Sequence, residues 1–584
     1  MQKQRETVRY KLKKKTVNGL SYVVFFFFVA SVSAYSQDLG NLGDQKPVSL
    51  DGSITLSGTK YSVSGAPARR PPTSWTITGT PTLSVYGVSL PFNFILSDQE
   101  SDFRQPFDQI GFSPNYKWAT LHIGYSSLNY SKYTLAGITF LGAGIDLNPE
   151  PLRLSVMYGR FQRAVEMDTS SSPTYAYVQP AYKRTGFAVK AGYGSEASFL
   201  DFIYLHAQDD SSSLKSRPDS LNIFPEENTV FGINMRLKIA DPLSFEGEAA
   251  ASFFTRDVRS PKIDSGSNIP QSLQSLVVAK SSTSLLVATN VAVVFTVPHF
   301  STRLGYERIE PDYNSLGAYY FTSDVENYTF APSFDMFQNK FRASGSIGIQ
   351  HDNLLATKIA QTQRVIGSGN ISINPAQVFG IDLNYTNYST GQSTIKLPTD
   401  TGKYQVRNVS QSASVTPRLL FISTETTNSF ILSVSQQQYT DLNPVTQASA
   451  NSRTTTGSFN YNLSFLKTGL NLGASLLYAD TKQGESATAL RGISVNASKS
   501  FLENKLSLGG SFGFTNSSVQ SSAAQPTGYG TKTINESINS SYRLFTQGTL
   551  SLTMYATENS STLPGSIRFT EIIATLSYSH NFSF

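Results

Sequence analysis

The chain ends EIIATLSYSHNFSF, residues 571–584. Counting back in twos from the last residue gives Phe584, Phe582, His580, Tyr578, Leu576, Ala574 and Ile572. Between them lie Ser583, Asn581, Ser579, Ser577, Thr575 and, as the one exception, Ile573. A period of two is the mark of a β-strand with one apolar and one polar face. A soluble domain has little use for an apolar face that runs to its last residue, since termini fray into water. The stretch therefore predicts an apolar surrounding at the very end of the chain.

The same pattern recurs upstream. In KFRASGSIGIQ (340–350), Phe341, Ala343, Ile347 and Ile349 oppose Arg342, Ser344, Ser346 and Gln350. VFGIDLNYTNY (378–388), TGLNLGASLLY (468–478), KLSLGGSFGF (505–514) and GTLSLTMYA (548–556) sort their residues in the same way. The longest apolar run past the N-terminus, LLVATNVAVVFTV (285–297), is broken by Thr289 and Asn290 and rich in β-branched residues, so it predicts a strand and not a spanning helix. Short turns are expected at LNPEP (147–151), VPHF (297–300), FQNKF (337–341), NPAQ (374–377), FLKTGL (465–470), FLENKL (501–506) and LFTQGTL (544–550), with one missing near residue 425. Longer polar loops are expected at 387–404, 438–454 and 515–532. This is the rhythm of a hairpin meander.

Residues 1–36 hold Lys3, Arg5, Arg9, Lys11, Lys13, Lys14 and Lys15 against Glu6, which accounts for the whole formal charge of +6. The remainder is neutral, so there is no electrostatic case for a nucleic-acid partner. The basic start is followed by LSYVVFFFFVASVSA (20–34), an apolar run ending in small residues, as in a secretory signal peptide cleaved after Ala34 or Ser36. Cysteine is absent, which removes disulfides and thiol chemistry. Only 15% of residues are charged, while Tyr (30) and Phe (38) abound, a composition suited to a surface lying in lipid. Period-two alternation alone fits either a soluble sandwich or a membrane barrel. The signal peptide, the alternation of short and long connections and the aromatic strand ends favour the barrel.

The terminal strand resembles the β-signal of outer-membrane β-barrel proteins of Gram-negative bacteria. That resemblance implies recognition by the barrel-assembly machinery through Tyr578, Phe582 and Phe584. The segment FRQPFDQIGFSPNYKWATLHIGYSSLNYSKYTLAGITFLGAGIDLNP (103–149) also resembles large porin-like barrels of the Bacteroidetes type. The expected fold is all-β: one antiparallel transmembrane barrel of about 24 strands (range about 20–28), spanning residues 73–584 and exported to the cell outer membrane. Its partners would be outer-membrane lipid, the assembly machinery and, for so wide a lumen, a plug or a secretion or adhesin protein. Residues 37–72, ending in PARRPP, and the turn-rich 97–114 are the candidates for an internal obstruction.

No cofactor, metal or catalytic set is expected. The five histidines are scattered without carboxylate or cysteine neighbours at ligand spacing, and His580, on an apolar face, reads as interfacial. Gly509-Gly510-Ser511-Phe512-Gly513 matches a nucleophile elbow but lies inside an alternating strand, where no strand-to-helix turn exists. The Asp-Leu-Asn triplets at Asp146, Asp382 and Asp441 read as solvated carboxylates. Arg153, Arg160, Arg163 and Arg342, with Lys183-Arg184, are candidates for the lumen or rim; the alternative is an Arg at the membrane interface. The polar face is chiefly Ser, Thr, Asn, Gln and Gly, so the leading expectation is a passive or gated channel for polar solutes with weak ion selectivity. The rival is a non-conducting surface scaffold or partner of a secretion or adhesin complex. An outer-membrane hydrolase ranks last.

Overall fold

The computed structural model describes residues 47–98, 108–166, 179–263, 277–319, 322–394, 406–520, 528–563 and 565–584. The expected signal peptide lies outside the described residues. The strand segments begin with β1 (Val48–Ser64), β2 (Thr73–Gly79), β3 (Thr82–Val85), β4 (Val88–Ser97), β5 (Gln109–Phe112), β6 (Asn115–Tyr116) and β7 (Ala119–Ser127). They continue with β8 (Thr139–Leu147), β9 (Leu152–Gln162), β10 (Lys183–Ser195), β11 (Ser198–Asp210), β12 (Glu227–Ala240), β13 (Leu243–Thr255) and β14 (Thr283–Val297). Next come β15 (Phe300–Ile309), β16 (Val325–Met336), β17 (Phe341–His351), β18 (Ala360–Ala376), β19 (Phe379–Thr394), β20 (Arg407–Ile422) and β21 (Thr426–Asp441). The last are β22 (Ser452–Phe465), β23 (Leu470–Gln483), β24 (Ser486–Phe501), β25 (Leu506–Val519), β26 (Tyr529–Phe545), β27 (Gly548–Ser561) and β28 (Phe569–Ser583).

Every pairing in the sheet is antiparallel, and β28 pairs back onto β1 from Asp51↔Ser583 to Ser64↔Thr570, which closes the barrel. β2 and β3 both pair with β1 and with β4, so they are one stave interrupted at Thr80-Pro81. β5 and β6 are likewise one stave, interrupted at Ser113-Pro114. Proline cannot donate to the ladder, which is why each break sits on one. The 28 segments therefore make a barrel of 26 staves, close to the expected number.

Two expectations change. The wall begins at Val48 rather than at residue 73: Val48–Ser64 is β1, 37–46 lie outside the described residues, and Arg69 of the PARRPP loop pins the seam by pairing with Glu571 of β28 at 2.6 Å. Residues 109–112 and 115–116 also belong to the wall, while 99–107 lie outside the described residues. The long loops are shorter than expected because the strands run further. β19 extends to Thr394, β21 to Asp441 and β25 to Val519, and the expected loop tips at 395–404 and 521–527 lie outside the described residues.

The missing turn near residue 425 is Ser423–Glu425, between β20 and β21. Short turns thus collect at one end of the barrel with Val48 and Phe584, and the longer loops at the other, where the two-residue turn Gly484-Glu485 between β23 and β24 is the exception. FQNK and LENK turn alike: Phe337, Gln338 and Asn339, and Leu502, Glu503 and Asn504, all take left-handed backbone angles (φ between 52° and 67°).

Apolar side chains point outward. Leu304, Ile347, Leu432, Leu476, Ile493 and Leu576 stand open on the outer surface, a belt that only lipid can cover. Aromatic residues gather at both margins of that belt. At the short-turn end Phe545, Tyr578, His580 and Phe582 cluster, with ring centroids 4.8–6.2 Å apart. At the long-loop end Phe187, Tyr204, Phe231 and Phe253 do the same. His580 is thus an interfacial residue, its Nδ1 3.0 Å from the Tyr578 hydroxyl.

Candidate functional site: a lumen thickened on one side

The two halves of the lumen differ. From β17 round to β2 the wall is a single layer whose inward residues are mostly hydroxyls and amides, with charges such as Arg342 and the Asp382–Arg418 pair among them, and many of the hydroxyls pair across neighbouring strands. Ser346–Ser368 (2.8 Å), Ser475–Ser494 (2.6 Å), Ser511–Ser537 (2.7 Å), Thr59–Thr575 (2.9 Å) and Ser57–Thr76 (2.6 Å) are such pairs. Here the alternation gave the right lining. Ser511, centre of the elbow-like motif, lies mid-strand and bonds only across the ladder.

From β8 to β16 the inward face is apolar near the long-loop end, and two connections fold in to cover it. Residues 128–138, between β7 and β8, bring Leu128, Tyr130, Tyr133 and Leu135 into the barrel. Residues 310–319, between β15 and β16, bring Tyr313 and Leu316. They pack on Phe140, Met157, Ile203, Leu205, Val230 and Ala288 of the wall. This is the protein's main core, and it lies inside the lumen. The loops also hold one another: Tyr313 Oη donates to Tyr133 O (2.7 Å), Ser315 Oγ to Thr134 O (2.6 Å) and Ala136 N–H to Gly317 O (2.9 Å). A Cβ at Gly317 would stand 2.8 Å from Thr134 O, so the two backbones can lie this close only with glycine there.

Below that apolar layer, toward the short turns, the wall carries charge, and the 128–138 loop reaches down to it. Lys132 Nζ meets Glu307 Oε1 at 2.5 Å, the Tyr133 hydroxyl donates to the same oxygen (2.6 Å), and Lys132 N–H donates to Glu248 (3.0 Å). Arg236 and Arg303 share Glu246, at 3.2 and 3.5 Å. Arg153 forks onto Asp201 at 2.9 and 3.2 Å and lies 4.3 Å from the Phe199 ring centre. A gap of about 140 Å³ separates Lys132 from the wall at Asn234, Arg236, Glu246 and Arg303. Among the described residues the belt sets Lys132, Arg153, Arg236 and Arg303 against Asp201, Glu246, Glu248 and Glu307, with Lys190 nearby over the Tyr130 ring, so it holds both signs. Such a belt can orient a polar solute against the hydroxyl-lined side without strongly excluding either sign of ion.

The arginines singled out in the sequence separate. Arg153 faces the lumen in the charged belt. Arg160 follows the outward set of β9 and takes the Tyr125 hydroxyl at 3.2 Å, which makes it an interfacial arginine. Arg163 lies just beyond β9 at the long-loop rim. Arg342 follows the inward set of β17 near the short turns, eight strands round the wall from Arg153. Arg184 lies at the top of β10, between Asp209 (2.7 Å) and Glu226 (2.7 Å), and Lys183 beside it is exposed. The Asp-Leu-Asn triplets do not converge: Asp146 accepts from His122 (2.9 Å), Asp382 pairs with Arg418, and Asp441 caps its own loop through Asn443 N–H (2.8 Å). Among the described residues no three His, Asp or Glu side chains stand at metal-binding distance. The inward loops were missed in the sequence. The signal for them is compositional, since LNYSKYTL and PDYNSLGAYY are too apolar and aromatic for loops in water.

No family model and no curated protein matches the chain. Among solved structures it is similar to the P pilus usher (PapC) translocation pore, with TM-score 0.35 and 9% identity over 91% of this chain and 99% of that one. It is also similar to BauA, the ferric preacinetobactin receptor from Acinetobacter baumannii (0.39, 10%, 91% and 80%). A third is OpdQ of Pseudomonas aeruginosa (0.32, 10%, 63% and 96%). At these identities and scores the likeness carries no inference about what this chain does.

Proposed function

We propose that this protein is an outer-membrane channel through which polar solutes pass, passively or with gating, between the hydroxyl-lined side of the lumen and the charged belt facing it. The observation that carries the reading is the 128–138 loop. It is folded into the lumen and latched through Lys132 and Tyr133 to Glu307 of β15, which six intervening strands separate from β8, the strand into which the loop leads. A scaffold has no need of a loop that narrows its interior. Export through the 1–36 leader and insertion through Tyr578, Phe582 and Phe584 belong to the same proposal, as does a plug or docking protein for the rest of the lumen.

Planar-bilayer recording tests it. The protein should give discrete conductance steps with weak ion selectivity. Glu307→Gln, which weakens the latch while leaving the barrel intact, should give larger or noisier steps. Silence from both proteins, each shown to be folded, would end the channel reading and leave the non-conducting scaffold or the partner of a secretion or adhesin complex.

A further inference from the structure

The outer face of β26 breaks its own pattern. Ser537 turns into the lumen and pairs with Ser511 of β25 (2.7 Å), so its neighbours Glu536 and Ile538 face outward. Glu536 is exposed, stands opposite Phe512 of β25 and Ala556 of β27, and lies midway along a strand of 17 residues. Phe512 and Ile538 are open on the same surface, so the carboxylate stands within the apolar outer belt. Among the described residues it has no hydrogen bond or ion pair. An unpaired charge in hydrocarbon is costly, and its presence there points to a partner that brings the opposite charge.

Beside Glu536 the wall is dented. Ala497 and Gly510 leave a hollow of about 640 Å³ between Leu472, Val495, Phe512 and Ile538, with Glu536 at its edge. Lipid tails can fill such a hollow but offer nothing to a carboxylate, whereas the side chains of a second protein can do both.

The same face holds a matching cation. Arg491 of β24 is outward, opposite Tyr478 of β23, and exposed, and its guanidinium is likewise unpartnered among the described residues. Glu536 shares a row of the sheet with Phe512 and Val495, and Arg491 lies four residues beyond Val495 toward the long loops. Two strands across and four residues along is about 16 Å, too far for the two to pair within one barrel. They nevertheless lie at similar depth, because the rows slant. The row through Leu576, seven residues short of the end of β28, reaches the short-turn end at Phe465 of β22, six strands on, a slant of about one residue per strand. Over two strands this leaves Arg491 about 6 Å nearer the long loops than Glu536, within the reach of an arginine side chain. The other outward charges of β24–β27 lie nearer the strand ends: Lys499 over the Phe501 ring, Lys532 four residues from Glu536 along β26, and Glu558 paired with Arg568.

We infer that the β24–β26 face is a two-fold interface between two copies of this barrel, in which Glu536 of each copy pairs with Arg491 of the other. Copies in one membrane are related by an axis along its normal, which keeps every residue at its own depth. With that axis beside β25, an acid on β26 and a base on β24 meet twice, and over this patch a second barrel takes the place of lipid. The interface does not depend on what crosses the lumen.

The chain has no cysteine, so Phe512→Cys places a single thiol next to the axis. Oxidation of isolated outer membranes with copper–phenanthroline should link this variant into a dimer, and should not link Leu304→Cys, outward on β15, ten strands away. Light scattering of the purified full-length protein in detergent should give the mass of two chains. Glu536→Gln and Arg491→Gln should each raise the dimer dissociation constant about tenfold or more, since each breaks two charge-assisted pairs. Glu536→Arg together with Arg491→Glu should restore the dimer that either reversal alone abolishes. Neither side chain is bonded within the barrel, so the variants should fold, and circular dichroism checks this. A parent that is monomeric by both measurements, or a dimer that all these charge variants leave unchanged, would overturn the interface. A barrel that is silent in bilayers yet dimeric would remove the channel and leave the interface standing.

Discussion

Phe584, the last residue, exchanges both backbone hydrogen bonds with Leu50: its N–H donates to Leu50 O (3.2 Å) and its carbonyl accepts from Leu50 N–H (2.9 Å). The end of the chain is therefore the last rung of the seam between β28 and β1. Deleting Phe584 removes two ladder bonds, each worth about 1 kcal/mol net, and an apolar side chain worth about 1.5–3 kcal/mol where lipid covers it. Changing Phe582 and Phe584 to Ser keeps the backbone and strips only the apolar face. If the side chains serve as the assembly signal, both variants should be exported and fail to insert. If the rung itself matters more, only the deletion should fail. Membrane fractionation with a heat-shift gel separates these outcomes; normal assembly of both variants would leave the terminal strand without either role.

Arg153 and Asp201 form a pair in which the carboxylate is almost wholly covered (1%) and the guanidinium nearly so (17%). Removing one partner of a buried pair strands the other charge, at a cost of about 3–5 kcal/mol, whereas replacing both by apolar groups of similar size can be neutral. Asp201→Asn should lower the unfolding midpoint clearly, and Arg153→Met with Asp201→Leu should recover most of it. Chemical denaturation in detergent reads both. A single variant as stable as the parent would show that water reaches the pair.

Asp324 anchors the 352–359 connection at the long-loop end by accepting from Asn353 N–H (3.0 Å) and Leu354 N–H (2.9 Å) and pairing with Lys358. Burial pushes its carboxyl up, but the Lys358 ammonium and the two N–H groups outweigh this and hold it below the ordinary value. A carboxyl lowered by folding contributes stability that is present above its unfolded value near pH 4 and is lost as pH falls through the folded one. The anchor should therefore hold from neutral pH down to about pH 4 and release below it. Asp324→Asn should release it at neutral pH, read as faster trypsin cleavage after Lys358. Equal cleavage of variant and parent at pH 7 would mean that the backbone bonds hold the loop without the charge.

Much of this architecture was legible because lipid on one side and solvent on the other impose the period of two. Where a strand meets a different pair of surroundings, the pattern fails for a physical reason. Ile573 breaks the terminal alternation because it faces Tyr61 across the seam, and Tyr61 is 5% exposed. The run 285–297 is apolar on both faces over most of its length because Leu286 and Ala288 face the core inside the lumen while Val287 and Val293 face lipid. Strand ends such as Asn387–Thr394 and Thr515–Val519 read as loop because both of their faces leave the apolar belt and see water. Arg153 and Arg160 stand seven residues apart, so an odd spacing already placed them on opposite faces of one strand. What the sequence could not disclose is which loops turn inward, because that depends on partners such as Glu248 and Glu307, which lie more than a hundred residues from Lys132.

Ser475 and Leu476 are neighbours in β23 that face opposite ways: Ser475 pairs with Ser494 in the lumen, and Leu476 stands 53% exposed on the outer belt. The inverted alternation predicts opposite results for one substitution at the two positions. Arginine at a lipid-facing site near the bilayer midplane costs about 2–4 kcal/mol, while a lumen site leaves the charge in water. Leu476→Arg should therefore reduce insertion and lower the stability of whatever inserts. Ser475→Arg should insert normally and shift the channel toward anions. Denaturation of the refolded barrel in bilayers reads the first outcome, and reversal potentials in a salt gradient read the second. If Ser475→Arg were the damaging change and Leu476→Arg the silent one, the polar face would lie outward, and the barrel would be a soluble one with its apolar side within.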